Sequence, residues 1–317
     1  MAGFVTHYLF GIQTYKTLDD KNLRHILKNN KHAYCLGLEG PDFFFFHIPE
    51  AATKGQNIGT TMHRENTNRF FEEMIKYMLD VHGERDYEIL SAYIMGFMGH
   101  YVLDTAIHPY VYSRTGILKT KKTLGVHYGL ETDIDREFLW KFKNMKQADF
   151  SHSGVIAVSS YEKTVIATML HTAILNTYER DIPVKSIRNA ITSFYVESAL
   201  LSDSTGLKYK AINGMEKYVF GYDRMSPLLI NDVHHCEDPC NLSKKEWHNP
   251  WDENHRDNAS VFELFEKNVT KYAKLLPVMY GALQSAYREN NDKSPEILKL
   301  LGNNSYKTGL DCDAVVL

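Results

Sequence analysis

The stretch GHYVLDTAIHPYVY, residues 99–112, places His100, Asp104 and His108 four residues apart in a run that is otherwise apolar or aromatic. On an α-helix, positions i, i+4 and i+8 lie on one face, drifting about 40° per step, so the three side chains project in nearly one direction. Three uncompensated polar groups are costly to bury. The rest of the chain must therefore fold so as to bring partners to this face, and clustered histidine and carboxylate side chains are able to hold metal ions. Pro109 disfavours helical geometry in the residue before it, which places the helix end near His108 and turns that ring toward a different ion from His100.

Helical periodicity runs through most of the sequence. In TMHRENTNRFFEEMIKYMLDVHG, Phe70, Phe71, Met74, Ile75 and Met78 recur at helical spacing with charges between them, and Gly83 supplies a stop. Further helices are expected at about 87–108, 125–143, 158–179, 184–202, 206–220 and 258–288, with Pro277 kinking or dividing the last. No stretch alternates with period two, so the expected class is all-α, a multi-helix bundle around a metal cluster. Long loops are expected at 32–60 and 222–257. The 317 residues permit one large domain, with 1–220 as a metal-binding helical core and 221–317 as a loop and C-terminal helical extension.

Composition excludes several classes. At 44% hydrophobic and 24% charged residues the chain reads as globular, and no apolar run approaches the ~20 residues of a transmembrane helix. A formal net charge of −3 gives no basic footprint for a stable nucleic-acid complex. Four cysteines in a chain this long do not form a disulfide framework. The opening MAGFVTHYLFGIQTY has no basic region or long apolar segment, so the expected location is the cytoplasm. Fifteen histidines against 36 lysines and arginines stand out, and histidine is a common ligand for transition metals.

Other segments add candidates. In HYGLETDID, His127 and Glu131 share a helical face and form a second potential ligand group, with Asp135 one turn on as an acceptor for a ligand ring's other nitrogen. Asp42 follows a Gly-Pro turn and precedes four phenylalanines, most of which read as core. His7 and His63, each taken alone, read as hydrogen-bonded structural histidines. HHCEDPC matches no zinc finger or ribbon spacing and reads as a polar loop with two incidental thiols.

In this order, His7, GPD with Asp42, His63, GHYVLDTAIHP with His100, Asp104 and His108, and then His127 with Glu131, the sequence resembles the zinc-dependent phospholipase C family, which shares its helical fold and three-zinc centre with the single-strand-specific zinc nucleases. The resemblance implies up to three zinc ions. One would be held by Asp42, His63, His100 and Asp104, the second by His108, His127 and Glu131, and the third by His7, the other oxygen of Asp104 and the chain's amino terminus. It further implies a metal-dependent phosphoric ester hydrolase of phospholipase C type that cleaves a phosphodiester by a metal-bound hydroxide. Asp42 would act as the catalytic carboxylate that orients or deprotonates the nucleophile. The implied partner is a phospholipid or other phosphodiester substrate, with transient membrane-surface contact. A zinc nuclease or nucleotide phosphodiesterase uses the same centre, and a non-catalytic metal-stabilised lipid- or partner-binding protein is the remaining alternative. The acidic balance disfavours the first for long polynucleotides, and the intact ligand set disfavours the second.

Overall fold

The computed structural model describes residues 3–46, 56–117 and 120–314. Among them the regular structure is helical apart from one short hairpin, so the chain is all-α as expected. The helices are α1 (Phe4–Thr17), α2 (Lys21–Asn29), α3 (Lys31–Gly37), α4 (Ile58–Met62), α5 (Thr67–Tyr77), α6 (Glu84–Thr115), α7 (Lys121–Lys143), α8 (His152–Val155), α9 (Ser160–Tyr178), α10 (Val184–Leu200), α11 (Leu207–Phe220), α12 (Val261–Glu289) and α13 (Ser294–Leu301). The hairpin pairs β1 (Trp247–Asn249) with β2 (Asp252–Asp257) antiparallel, with an irregularity between His248 and Asn249.

The axis of the molecule is α6, about 48 Å long at 1.5 Å per residue. Every residue from Ile89 to Asp104 is buried, which a helix tolerates only when it is surrounded on all sides. α1, α2, α3, α7, α9, α12 and β1 surround it. The closest approach is at the α3–α6 crossing. A Cβ on Gly37 would overlap the carbonyl oxygen of Tyr93, and one on Gly96 would overlap that of Tyr34, so the two backbones touch. Capping boxes, Ser159 with Glu162 and Ser260 with Glu263, set the starts of α9 and α12 close to the positions expected from periodicity.

Several expectations need correction. The helix carrying the His-Asp-His set does not end at Pro109 but runs on to Thr115. Proline leaves the Thr105 carbonyl without an intrahelical donor. Gly309, at φ +66°, packs directly over that oxygen, where any side chain would overlap it. Pro277 likewise does not divide α12, because it lies on the exposed face, where water can serve the freed carbonyl. The expected loop at 32–60 contains most of α3, a 3₁₀ turn at Asp42–Phe46 and the start of α4. The 222–257 loop contains the hairpin. The amino-terminal helices α1 and α2 and the late α13 are additional to those read from periodicity.

The segment beyond 220 packs into the same buried core. α12 lies against α1 and α6, and α13 against α5 and α12. The loop after α13 crosses α6, where the Tyr101 hydroxyl donates to Gly302 O at 3.0 Å and accepts from Asn304 N at 2.9 Å. No helix among the described residues is long and apolar enough to cross a membrane.

The α3–α6 contact makes one substitution decisive. Gly96→Ala should destabilise the fold by about 1–3 kcal/mol, because its Cβ meets backbone rather than a movable side chain. Urea unfolding of the variant checks this, and a midpoint equal to wild type would contradict the crossing.

Candidate metal centre

Five elements deliver the eight candidate ligands. His7 comes from α1, Asp42 from the start of the 3₁₀ turn, His63 from the residue that ends α4, and His100, Asp104 and His108 from α6; α7 supplies His127 and Glu131. All eight are buried. Their ligating atoms fall into three groups, His7–His100–Asp104, Asp42–His63–His100 and His108–His127–Glu131, with the atoms of each group within 4.8 Å of one another.

Asp104 stands between the first two groups. His7 Nε2 lies 3.0 Å from its Oδ1, while His100 Nε2 lies 3.0 Å and His63 Nε2 4.0 Å from its Oδ2. His63 Nε2 is also 3.1 Å from Asp42 Oδ1. In the third group His127 Nε2 is 3.0 Å and His108 Nε2 3.7 Å from Glu131 Oε1. The continuation of α6 through Pro109 keeps His108 in helical register, and its ring still reaches the third group rather than the first.

The backbone decides which nitrogen of each ring is free. His63 Nδ1 lies 2.6 Å from Gly59 O, His100 Nδ1 3.0 Å from Leu38 O, and His108 Nδ1 2.7 Å from Tyr306 O. A carbonyl only accepts, so Nδ1 carries the proton in all three and the Nε2 lone pair faces the cluster. His127 Nδ1 meets the Thr115 hydroxyl at 3.2 Å. The Nε2 atoms of His7, His63, His100 and His108 make no hydrogen bond despite the carboxylate oxygens beside them. Imidazole nitrogens and carboxylate oxygens thus converge at short range, an arrangement suited to a cation between them.

Ionisation follows the same logic. Burial holds His7, His108 and His127 below the usual imidazole range, so they are neutral bases at neutral pH. Burial would also lower His100, but Asp104 and Asp42 outweigh it and raise it. Burial alone would raise Asp104 and Asp42, yet His100 and its fellow histidines pull both below the ordinary carboxylate range. Imidazole nitrogens and carboxylate oxygens in groups of three, buried yet open on one side, are the donor set of a zinc site.

The open side is a small cleft of about 90 Å³. Asp42 and Glu131 lie in its lining with Tyr128, and Phe4, Phe46, Phe194, Leu201, Leu228 and Ile230 supply apolar wall. Of the four phenylalanines after Asp42, Phe43 and Phe44 are core as expected.

Asp135 takes a role other than the expected one. It accepts from Val5 N at 3.0 Å, Thr6 N at 2.8 Å and Thr6 Oγ1 at 2.6 Å, and so caps the start of α1, which has no local side-chain cap. It thereby fixes the turn that carries His7. The amino-terminal ligand implied for the His7 group lies in residues 1–2, outside the described residues. HHCEDPC is held by hydrogen bonds. Asp133 accepts from His235 N at 2.7 Å and Cys236 N at 2.8 Å, and pairs with Arg136 at 2.7 Å. Among the described residues it joins no metal-binding group.

Two contributors escaped sequence reasoning, the backbone carbonyls and Glu39, whereas the WHNPW segment is expected to cap the cleft. The carbonyls of Leu38, Gly59 and Tyr306 have no signature, because any residue supplies a carbonyl. Glu39, three residues before Asp42, lines the cleft with Oε1 unbonded, and burial raises it well above the usual carboxylate range. Trp251 packs edge-on against Tyr112 at 5.0 Å, and Tyr112 lies 4.9 Å from His127, so the WHNPW segment reaches the rim of the third group.

A family model described as zinc dependent phospholipase C matches residues 6–213. The chain belongs to that family. The match contains all eight candidate ligands, and the chain adds from outside it the Tyr306 carbonyl that orients His108. Comparison with curated proteins and with solved structures gives no match.

Asp135→Ala should cost about 1–3 kcal/mol, the penalty of leaving the α1 amides without their acceptor. It should also weaken zinc binding at the His7 group while sparing the His108 group. Thermal unfolding and zinc titration of the variant check this; unaltered stability and stoichiometry would remove Asp135 from the site's support.

Proposed function

We propose that the protein is a zinc-dependent phosphoester hydrolase that cleaves the phosphodiester bond of a phospholipid in the manner of a phospholipase C. The observation carrying this reading is the convergence of buried histidine nitrogens and carboxylates in three groups, two of whose carboxylates, Asp42 and Glu131, line a cleft with apolar walls. Zinc bound there supplies Lewis acidity and water activation.

The ligand sets proposed are Asp42, His63 and His100 for one ion, His7, Asp104 and His100 toward a second, and His108, His127 and Glu131 for a third. Asp104, ionised and offering one oxygen to each of two groups, fits a bridging carboxylate. Asp42 is ionised, buried and part of the cleft lining, so it is positioned to orient a nucleophile or take its proton. The Nδ1–carbonyl bonds hold His63, His100 and His108 in one tautomer, which avoids reorganisation when charge develops. Phe4, Phe46, Phe194 and the aliphatic side chains exclude water and suit the glycerolipid portion of the substrate.

The cleft also separates this reading from the nuclease alternative. Its described lining holds Glu39, Asp42, Glu131 and Asp135 but no lysine or arginine, an unfavourable surface for a polyanion. A metal count on untagged protein with a substrate panel of short-chain phosphatidylcholine, single-stranded DNA and an aryl phosphodiester tests the proposal. Turnover of the lipid that is lost with chelator and restored by zinc supports it; preferential cleavage of DNA, or bound zinc without any turnover, overturns it.

Two variants probe the assignments. Asp104→Asn should lower bound zinc and reduce kcat/KM by at least about a hundredfold while the helical circular-dichroism signal persists. His127→Ala, Glu131→Ala and the double variant should lose activity by similar amounts, since they complete one group; additive losses would place them in separate features.

A further inference from the structure

α11 is built inside out. Its buried residues are Asn213 and Glu216, both polar. Glu216 accepts from the backbone amides of Arg224, Met225 and Ser226 at 2.7–3.1 Å, and Asn213 donates to Asp223 and Ser226. The outward face carries the apolar side chains. Leu207 is 65% exposed, Met215 60% and Tyr218 92%, and Val219 is exposed at the edge of the same arc. At 100° per residue Leu207, Ala211, Gly214, Met215 and Tyr218 occupy one outer arc, with Lys210 and Lys217 along one flank and Lys208 on the other.

The apolar face continues onto the neighbouring helix. Leu200, at the end of α10, is 64% exposed, and nine of the eighteen large apolar side chains exposed among the described residues fall within residues 195–225. Such a concentration on a soluble surface marks an interaction site. The charges sort by sign as well. Asp203 and Glu216 are turned inward, with Asp203 capping α11 through Lys208 N and Tyr209 N, whereas Lys208, Lys210 and Lys217 are exposed.

We infer that this α10–α11 face is a docking surface for a lipid bilayer that carries anionic headgroups. An apolar arc with an aromatic tip and flanking lysines matches a helix lying in the membrane interface, its rings among the acyl chains and its ammonium groups at the phosphates. The face is also continuous with the candidate cleft. Phe194, Ser198 and Leu201 of the α10 segment line the cleft, and Ile230 N donates to Leu201 O at 2.9 Å, tying the other wall to the same corner. A bilayer seated on α11 would therefore lie beside the cleft mouth. The docking inference stands apart from the reaction proposed above, although it supplies that reaction with its substrate surface.

Co-sedimentation of the zinc-loaded protein with vesicles of phosphatidylcholine alone, or mixed with phosphatidylserine, tests it. The protein should partition onto the mixed vesicles more strongly than onto phosphatidylcholine alone, with the difference shrinking at high salt. Leu207→Asp/Tyr218→Asp should lower partitioning at least about tenfold while hydrolysis of short-chain monomeric lipid stays at the wild-type rate. Should the double aspartate variant fail to fold, Leu207→Gln/Tyr218→Gln carries the same comparison. Wild-type protein that does not sediment with either vesicle, or variants that bind as well as wild type, would overturn the inference. So would a wild-type dimer on size exclusion that the variants dissolve without any vesicle binding, which assigns the face to a second copy. Vesicle binding that depends on Leu207 and Tyr218 without hydrolysis of any lipid would sustain the docking surface and overturn the reaction.

Discussion

Asp104 is fully buried with imidazoles on both of its oxygens, His7 at 3.0 Å from one and His100 at 3.0 Å from the other. The surrounding histidines hold it ionised, yet burial holds two of them, His7 and His108, in their neutral form. A carboxylate among neutral rings in a dry interior requires a positive charge. A divalent cation held by these ligands would supply it. The packing of seven elements around α6 is the scaffold this charge arrangement needs.

The backbone contributes as much to the site as the ligands do. The carbonyls of Leu38, Gly59 and Tyr306 fix Nδ1–H on three rings, and each comes from a different part of the chain. Gly40, at φ +51°, lies so close to the His100 ring that any side chain there would collide with it. That clearance lets the Glu39–Asp42 turn sit over His100 and brings Asp42 within 3.1 Å of His63. The C-terminal loop acts in the same way. Tyr306 orients His108 through its carbonyl, while its own N–H and the Ser305 hydroxyl donate to His63 O.

The sequence made the helical face legible because spacing alone fixes direction. His100, Asp104 and His108 sit on α6 and His127 with Glu131 on α7, as four-residue intervals require. Helix spans with strong periodicity were readable to within a few residues for α9 to α12. The end of α6 was not, because the proline penalty is local, whereas the packing that surrounds the helix beyond Pro109, including Gly309 over the Thr105 carbonyl, comes from distant parts of the chain. Asp135 was misread for a related reason. Its position one turn beyond Glu131 is the same whether it faces a ring or the start of α1, and only the tertiary placement of Gly3 and Thr6 selects the second. His7 and His63 carried no spacing signal at all; the ordered resemblance alone singled them out.

The ligands divide into two classes with different consequences. His100, Asp104 and His108 share one rigid helix, and His127 with Glu131 share another, so the third group needs only the α6–α7 contact to form. His7, Asp42 and His63 sit on separate elements, two of them no longer than five residues, which have little stability of their own. A cation that joins Asp42, His63 and His100 therefore ties a 3₁₀ turn and a short helix to the central axis. Binding energy at that group is in part folding energy of residues 38–46 and 57–63. The third group, assembled in advance by two long helices, has less to gain. Zinc should accordingly raise the thermal stability of the first groups' surroundings more than that of α7, by an amount that grows with free zinc as RT ln(1 + [L]/Kd). The division also suits catalysis. The preformed group keeps its geometry without the substrate, and Asp42, the carboxylate that faces the cleft, stands on the segment whose order depends on the metal.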